Sequence, residues 1–180
     1  EPIINNKMYL DGGFFDNCPS IMLINKGYNK IYEVKIKGIG LERPINKNKY
    51  DITTISPSRE NGSIFELNKT IILDNIKMGY YDTLRVLKKY AGYKFCFYPP
   101  IKWLVSLRLQ KLSVREKNRA KSFFRVKDDY EMIIKCLEYI MDKEHVDYYQ
   151  VYNYWIMAHK LSKIKSNDFR YNIIKKISIF

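Results

Sequence analysis

The residues of this chain best placed to do chemistry form one run, Tyr9-Leu10-Asp11-Gly12-Gly13-Phe14-Phe15-Asp16-Asn17-Cys18-Pro19. A carboxylate followed by two glycines joins a possible general base to a backbone that can turn sharply and approach a substrate closely. Asp-Gly-Gly after an apolar stretch is also an ordinary turn, so Asp11 taken alone leaves both readings open. No Gly-x-Ser-x-Gly elbow, P-loop or His-Glu-x-x-His occurs anywhere in the sequence, so a complete active site is not visible. Asp16 reads as a helix-start carboxylate, and Cys18, with no histidine nearby in sequence, as a small buried side chain. Ser56, Ser58 and Ser63 read as turn residues. Cys18, Cys96 and Cys136 are far apart and lack Cys-x-x-Cys spacing. His145 and His159 stand apart from any cluster of thiols or carboxylates. These spacings predict no metal, no cofactor and no disulfide framework, with both histidines structural or superficial.

The elements that would position Asp11 follow from periodicity. Met8-Tyr9-Leu10 predicts a short buried strand ending at Asp11, and Gly12-Gly13 the turn that stops it. Asn17 is expected to cap a helix over Cys18 to Lys26, with Pro19 in its first turn and Gly27 closing it. Ile31 to Lys37 alternates, with Tyr32, Val34 and Ile36 on one face, as a strand does. Asp51 to Ile55 is a second, β-branched strand that ends at Ser56-Pro57. From Thr70 a stripe of Leu73, Ile76, Tyr80, Leu84, Leu87 and Ala91 predicts a helix packed on the sheet and ending near Gly92. After Pro99-Pro100 strand signals vanish, and two stripes, Tyr130 to Met141 and Tyr148 to His159, predict an α-helical region.

The run around Asp11 resembles the pattern of patatin-like phospholipases, in which a strand ends in Asp-Gly-Gly or Asp-Gly-Ala and an Asn-x-Pro follows. The matching positions are Asp11, Gly12, Gly13, Asn17 and Pro19. The similarity continues through Lys26-Gly27-Tyr28, the strand Ile31 to Ile36 and the helical Gly79-Tyr80-Tyr81-Asp82. The resemblance implies the carboxyl-terminal portion of a three-layer α/β/α fold over residues 1–98, followed by a basic α-helical appendage over 99–180. It also implies a Ser-Asp dyad in which Asp11 accepts the proton of a serine that attacks an acyl ester. That serine and its glycine-rich oxyanion loop lie upstream of the aspartate in such proteins, so this chain would supply only the aspartate and hydrolyse nothing alone. The implied partners are an amino-terminal half carrying Gly-x-Ser-x-Gly and a phospholipid or other acyl ester.

Composition bounds the rest. The 180 residues are 46% hydrophobic, enough for a core, and the 16 tyrosines predict interior side chains with polar tips. The opening Glu1-Pro2-Ile3-Ile4 has no signal-peptide pattern, so the chain reads as an excised or processed piece; its three cysteines, without a disulfide framework, read as those of a reducing, cytoplasmic compartment. If its other half is missing, one edge and one face of the sheet lose cover, which favours dimers or aggregation. No apolar run is long enough to span a membrane, so any membrane contact is expected to be peripheral. The net charge is +13, concentrated between Lys102 and Lys127, where nine basic residues face Glu116 alone. That segment could meet an anionic membrane surface or be a solvated face. The rival function class is a non-catalytic basic module for protein, membrane or nucleic acid, although nucleic acid is not the expected partner. Trp103, Leu104, Leu107 and Leu109 beside it read either as lipid-facing or as core.

Overall fold

The computed structural model describes residues 2–36, 38, 40–60, 62 and 68–178. Glu1, Lys37 at the end of the expected strand, and Ser63 lie outside the described residues. The chain mixes helix and small sheets, and it divides into two compact units, Glu1–Val86 and Leu87–Phe180. The division lies before Cys96–Tyr98, which the sequence boundary at residue 98 had grouped with the first region.

In the first unit, β1 (Ile3–Ile4) and β2 (Lys7–Met8) form an antiparallel hairpin. Asn5 and Asn6 close it at φ of 50° and 57°, a left-handed pair that asparagine tolerates better than most residues. The expected buried strand at Met8 to Leu10 is therefore corrected: β2 stops at Met8, and Met8, Tyr9 and Leu10 are all exposed. Helix α1 spans Ser20–Asn25 and Gly27 follows it at φ +88°, as a left-handed closing residue requires. Asn17 does not cap α1; Pro19 holds the cap position without a side-chain hydrogen bond.

Strands β3 (Lys30–Val34) and β4 (Asp51–Ile55) pair in parallel, with Ile31 opposite Ile52, Glu33 opposite Thr54 and Val34 opposite Ile55. Ile31 and Glu33 are buried while Tyr32, Val34 and Ile36, the other alternate set, are exposed. The cause is local chemistry. Ser20 Oγ donates to Glu33 Oε1 at 2.9 Å and Thr54 Oγ1 to Oε2 at 2.8 Å, so hydroxyls offset the cost of burying the carboxylate. Helix α2 (Lys69–Leu87) is rotated from expectation. Its buried residues are Met78 and Asp82, whereas Leu73, Ile76, Tyr80 and Leu87 of the predicted stripe face outward. Asp82 accepts from Ser58 N at 2.9 Å and from Arg85 at 2.6 Å, which ties the loop after β4 to α2.

In the second unit, β5 (Cys96–Tyr98) leads to helices α3 (Lys102–Leu109), α4 (Val114–Phe124) and α5 (Asp129–Lys143), then to β6 (Val151–Asn153), α6 (Tyr154–Leu161) and α7 (Phe169–Ser178). β5 and β6 pair in parallel, so the expectation of helix alone after Pro100 is corrected at Val151–Asn153. Helix α5 is the core of this unit, burying Met132, Ile133, Ile134, Cys136, Leu137, Ile140 and Met141, as its stripe predicts. The tyrosines behave as their chemistry predicts: Tyr154, fully inside, donates to Ile133 O at 3.1 Å, Tyr152 to Asp147 O at 2.6 Å and Tyr171 to Glu144 at 2.5 Å.

Glu138, also on α5, is the main buried charge here. Its Oε1 accepts the backbone N–H groups of Tyr93, Lys94 and Phe95 at 2.6, 2.8 and 3.0 Å. Gly92 makes that loop possible, at φ +113° and with space for no Cβ, which would fall 2.1 Å from Phe95 O.

Candidate functional site

Asp11 caps a single 3-10 turn, Gly12–Phe14, and its Oδ1 accepts from Gly13 N at 2.7 Å. The carboxylate is exposed, and among the described residues no cation pairs with it. One oxygen is thus held by the turn and the other faces outward. Such a carboxylate can accept a proton from a group brought to it.

The turn is fastened to the segment that leaves the carboxyl end of β3. Leu41 N donates to Gly13 O at 3.0 Å, and Asn17 N to Leu41 O at 2.6 Å. Asn17 Nδ2 donates to Gly38 O at 3.1 Å. Gly40 packs so closely that a Cβ there would lie 2.4 Å from Gly13 O. Asn17 therefore serves as a strut between the Asp11 turn and the loop after β3, and Pro19 leads the chain from that strut into α1. The structure brings Gly13 and Asn17 against Gly38, Gly40 and Leu41 in one rim, with Asp11 and Gly12 opening the turn that forms it.

Beside this rim lies an open groove of about 340 Å³ lined by Cys18, Ser20, Met22, Tyr32 and Glu33. Asp11 is not among its walls. Cys18 is half-exposed there rather than buried as expected, with Sγ 3.9 Å from Ser20 Oγ. Asp16 Oδ1 accepts from Cys18 N at 3.1 Å, which makes it a turn residue just ahead of α1. Lys35 bonds Glu42, whose carboxylate holds the ammonium above its ordinary value. Sequence reasoning missed Glu33 and Asp82; the available signal was a carboxylate inside each apolar pattern, with Ser20, Thr54 or Arg85 able to meet it.

The basic segment of the second unit proves uneven. Arg108 is buried, its guanidinium 4.5 Å from the Trp155 ring centroid and donating to Ile177 O at 2.7 Å. Lys117 and Lys121 both pair with Asp129, at 3.7 and 2.7 Å. Lys176 pairs with Glu116 at 2.6 Å, and together with Ser113 it draws the Glu116 carboxyl down to about 2. What stays exposed is Lys102, Lys111, Arg115, Arg119, Arg125 and Lys127. A groove of about 630 Å³ between α3, α4 and the start of α5 is lined by both signs of charge, from Lys102 and Lys117 to Asp128 and Asp129.

Among the described residues no group of three or more histidines, cysteines, aspartates or glutamates could hold a metal ion. Likewise, no described helix is long and apolar enough to cross a membrane. Comparison with family models, with curated proteins and with solved structures returns no match.

Proposed function

We propose that the first unit is the carboxyl-terminal part of a patatin-like lipid acyl hydrolase, in which Asp11 is the base of a Ser-Asp dyad and the serine comes from an amino-terminal segment. The observation that carries the reading is the strutted Asp11 turn. The exposed Asp11 carboxylate has one oxygen bonded to Gly13 N, with Gly12 and Gly13 beside it and Asn17 bonding the loop after β3. Helices bordering both faces of the β3–β4 pair support the α/β/α reading. Ser20 of α1 meets the strand face that carries Glu33 and Thr54, while Met78 and Asp82 of α2 border a groove with Val34, Ile36 and Ile55 of the other face.

Exposure supports it as well. Tyr32, Val34 and Ile36 on β3 and its extension, and Leu73, Ile76 and Tyr80 on α2, are large apolar side chains left in water. An amino-terminal segment that continued the sheet would cover such a surface. In the complete site the serine hydroxyl would lie within hydrogen-bond reach of Asp11 Oδ2 and attack the ester carbonyl as its proton passes to the carboxylate. The substrate class is a phospholipid or another carboxylic ester of a lipid.

The rival reading is a non-catalytic basic module, for which the exposed Lys102, Lys111, Arg115, Arg119, Arg125 and Lys127 would be available. The lipid-hydrolase reading is tested with a fluorophosphonate probe, which tags activated serines. The 180-residue chain should stay untagged, and the chain preceded by its own upstream coding segment should be tagged at one serine. Tagging of Ser56 or Ser58 in the isolated chain would overturn the assignment.

A further inference from the structure

Strand β3 has an open edge. Its bonds to β4 leave from the odd-numbered positions, since Asp51 N donates to Asn29 O and Lys35 N donates to Ile55 O at the two ends of the ladder. The N–H and C=O groups of Lys30, Tyr32 and Val34 therefore point away from β4, as a parallel ladder requires. Among the described residues no strand or loop takes them up. The groove of about 340 Å³ runs along this edge, because it touches Tyr32, Glu33 and Val34 in succession and no residue of β4. Neighbouring side chains of a strand point to opposite faces, so a groove that meets three in a row lies along the strand's rim. Helix α1 forms its other wall with Met22 and Leu23, which are 62% and 42% exposed. The two walls are antiparallel: Ser20, at the start of α1, meets Glu33, and residues 26–29 join the end of α1 to Lys30. That connection closes one end of the groove. Lys26, on the connection, is exposed, lines the groove and has no ion-pair partner among the described residues. Glu33, toward the other end, is bonded by Ser20 and Thr54. Lys30 stands in register with Asp51, so what it offers the groove is its backbone N–H.

We infer that this groove binds the carboxyl-terminal tail of a separate polypeptide, extended antiparallel to β3. The tail's backbone takes up the N–H and C=O groups of Tyr32 and Val34, an apolar side chain rests on Met22 and Leu23, and the terminal carboxylate meets Lys26 and the N–H of Lys30. Unpaired edge groups call for a strand, and a closed end that carries a cation calls for a chain end that is an anion. An upstream segment of this chain, or β3 of a second copy, brings a strand but no terminal carboxylate. The reverse orientation would set the carboxylate toward Glu33. Asp11 is not among the walls, so the inference goes beyond the lipid-hydrolase reading and does not depend on it.

The test is fluorescence anisotropy of a labelled peptide of alternating valine and threonine, free at its carboxyl end, titrated with the 180-residue chain. The peptide should bind. Amidation of its carboxyl end should weaken binding by about fivefold, and so should Lys26→Gln, the scale of an exposed ion pair. Together the two changes should cost little more than either alone, because each removes the same contact. Val34→Pro removes an edge N–H while sparing the ladder to β4, and should weaken binding about tenfold. Methylation of alternate peptide amides should do the same with the protein unaltered. Lys26 is exposed, so unchanged melting of Lys26→Gln separates a lost contact from a lost fold. Absence of saturable binding, equal affinity for the amidated peptide, or indifference to amide methylation would overturn the inference. So would self-association that Val34→Pro abolishes, which would give the edge to a second copy. Loss of peptide binding in the chain preceded by its upstream coding segment would overturn it too, by giving the edge to that segment. Failure here would leave the hydrolase reading standing, since serine tagging does not involve this groove.

Discussion

Replacing Glu138 by alanine should destabilise the second unit by about 3–5 kcal/mol. The carboxylate takes three consecutive backbone donors on one oxygen, and Phe95, whose amide is the third, is completely buried. Leaving that amide unpaired costs about 1–3 kcal/mol, and the amides of Tyr93 and Lys94, which can reach water, add roughly 0.5–1 each. The cavity left by a buried side chain supplies the remainder. Glu138→Gln keeps an oxygen in place and loses only the charge, so it should cost less, about 1–2 kcal/mol. Urea unfolding followed by far-ultraviolet circular dichroism measures both variants, and hydrogen exchange at Phe95 should accelerate by more than global unfolding explains in the alanine variant alone. Loss of less than about 1 kcal/mol for Glu138→Ala, or a larger loss for glutamine than for alanine, would refute the claim that this carboxylate organises the loop.

Arg108→Lys should lower the melting temperature despite keeping the charge, by the equivalent of about 1–3 kcal/mol, because an ammonium cannot stack on Trp155 as a planar guanidinium does; an unchanged melt would contradict this. Thiol titration should find one fast cysteine in the native protein, Cys18. Cys96 and Cys136 are buried, and burial pushes the Cys136 thiol up to about 12, so both should react only on unfolding; two or more fast thiols would be wrong for this core. The Glu116–Lys176 pair sets an acid limit. The Glu116 carboxyl lies at about 2 in the folded chain against an ordinary 4.5, so its contribution is present above pH 4.5 and is lost as pH falls from there toward 2. Lys176→Gln should flatten the melting profile across that window, and an identical profile would contradict the pairing.

How far the sequence reveals this molecule differs element by element. Helix α5 is legible because its apolar stripe and its buried face coincide, and β4 because a β-branched run has few other uses. For β3 the start and the alternation are legible, but the strand stops at Val34, and which alternate set is buried is not legible. Tyr32, Val34 and Ile36 form the more apolar set, and the meeting of Glu33 with Ser20 and Thr54 puts the other set inside. The same holds for α2, where Asp82 earns an inward place through Ser58 and Arg85, contacts that no period displays. β6 is three residues long, too short to show an alternation, and its pairing with β5 crosses three helices. At the candidate site the motif residues are legible as types. The role of Asn17 as a strut rather than a cap follows from Gly38 and Leu41, which the chain brings back only after β3.

The proposed role of Asp11, proton acceptor for a serine supplied from outside this chain, can be measured. Hydrolysis of a fluorogenic acyl ester measures it most directly, with the 180-residue chain alone and with that chain preceded by its upstream coding segment, each with Asp11 and with Asp11→Asn. The account predicts no turnover by the chain alone, turnover by the extended protein, and a fall of about 10² to 10⁴ in kcat on Asp11→Asn with the fold intact. Turnover by the isolated chain, or an extended protein indifferent to Asp11→Asn, would contradict it.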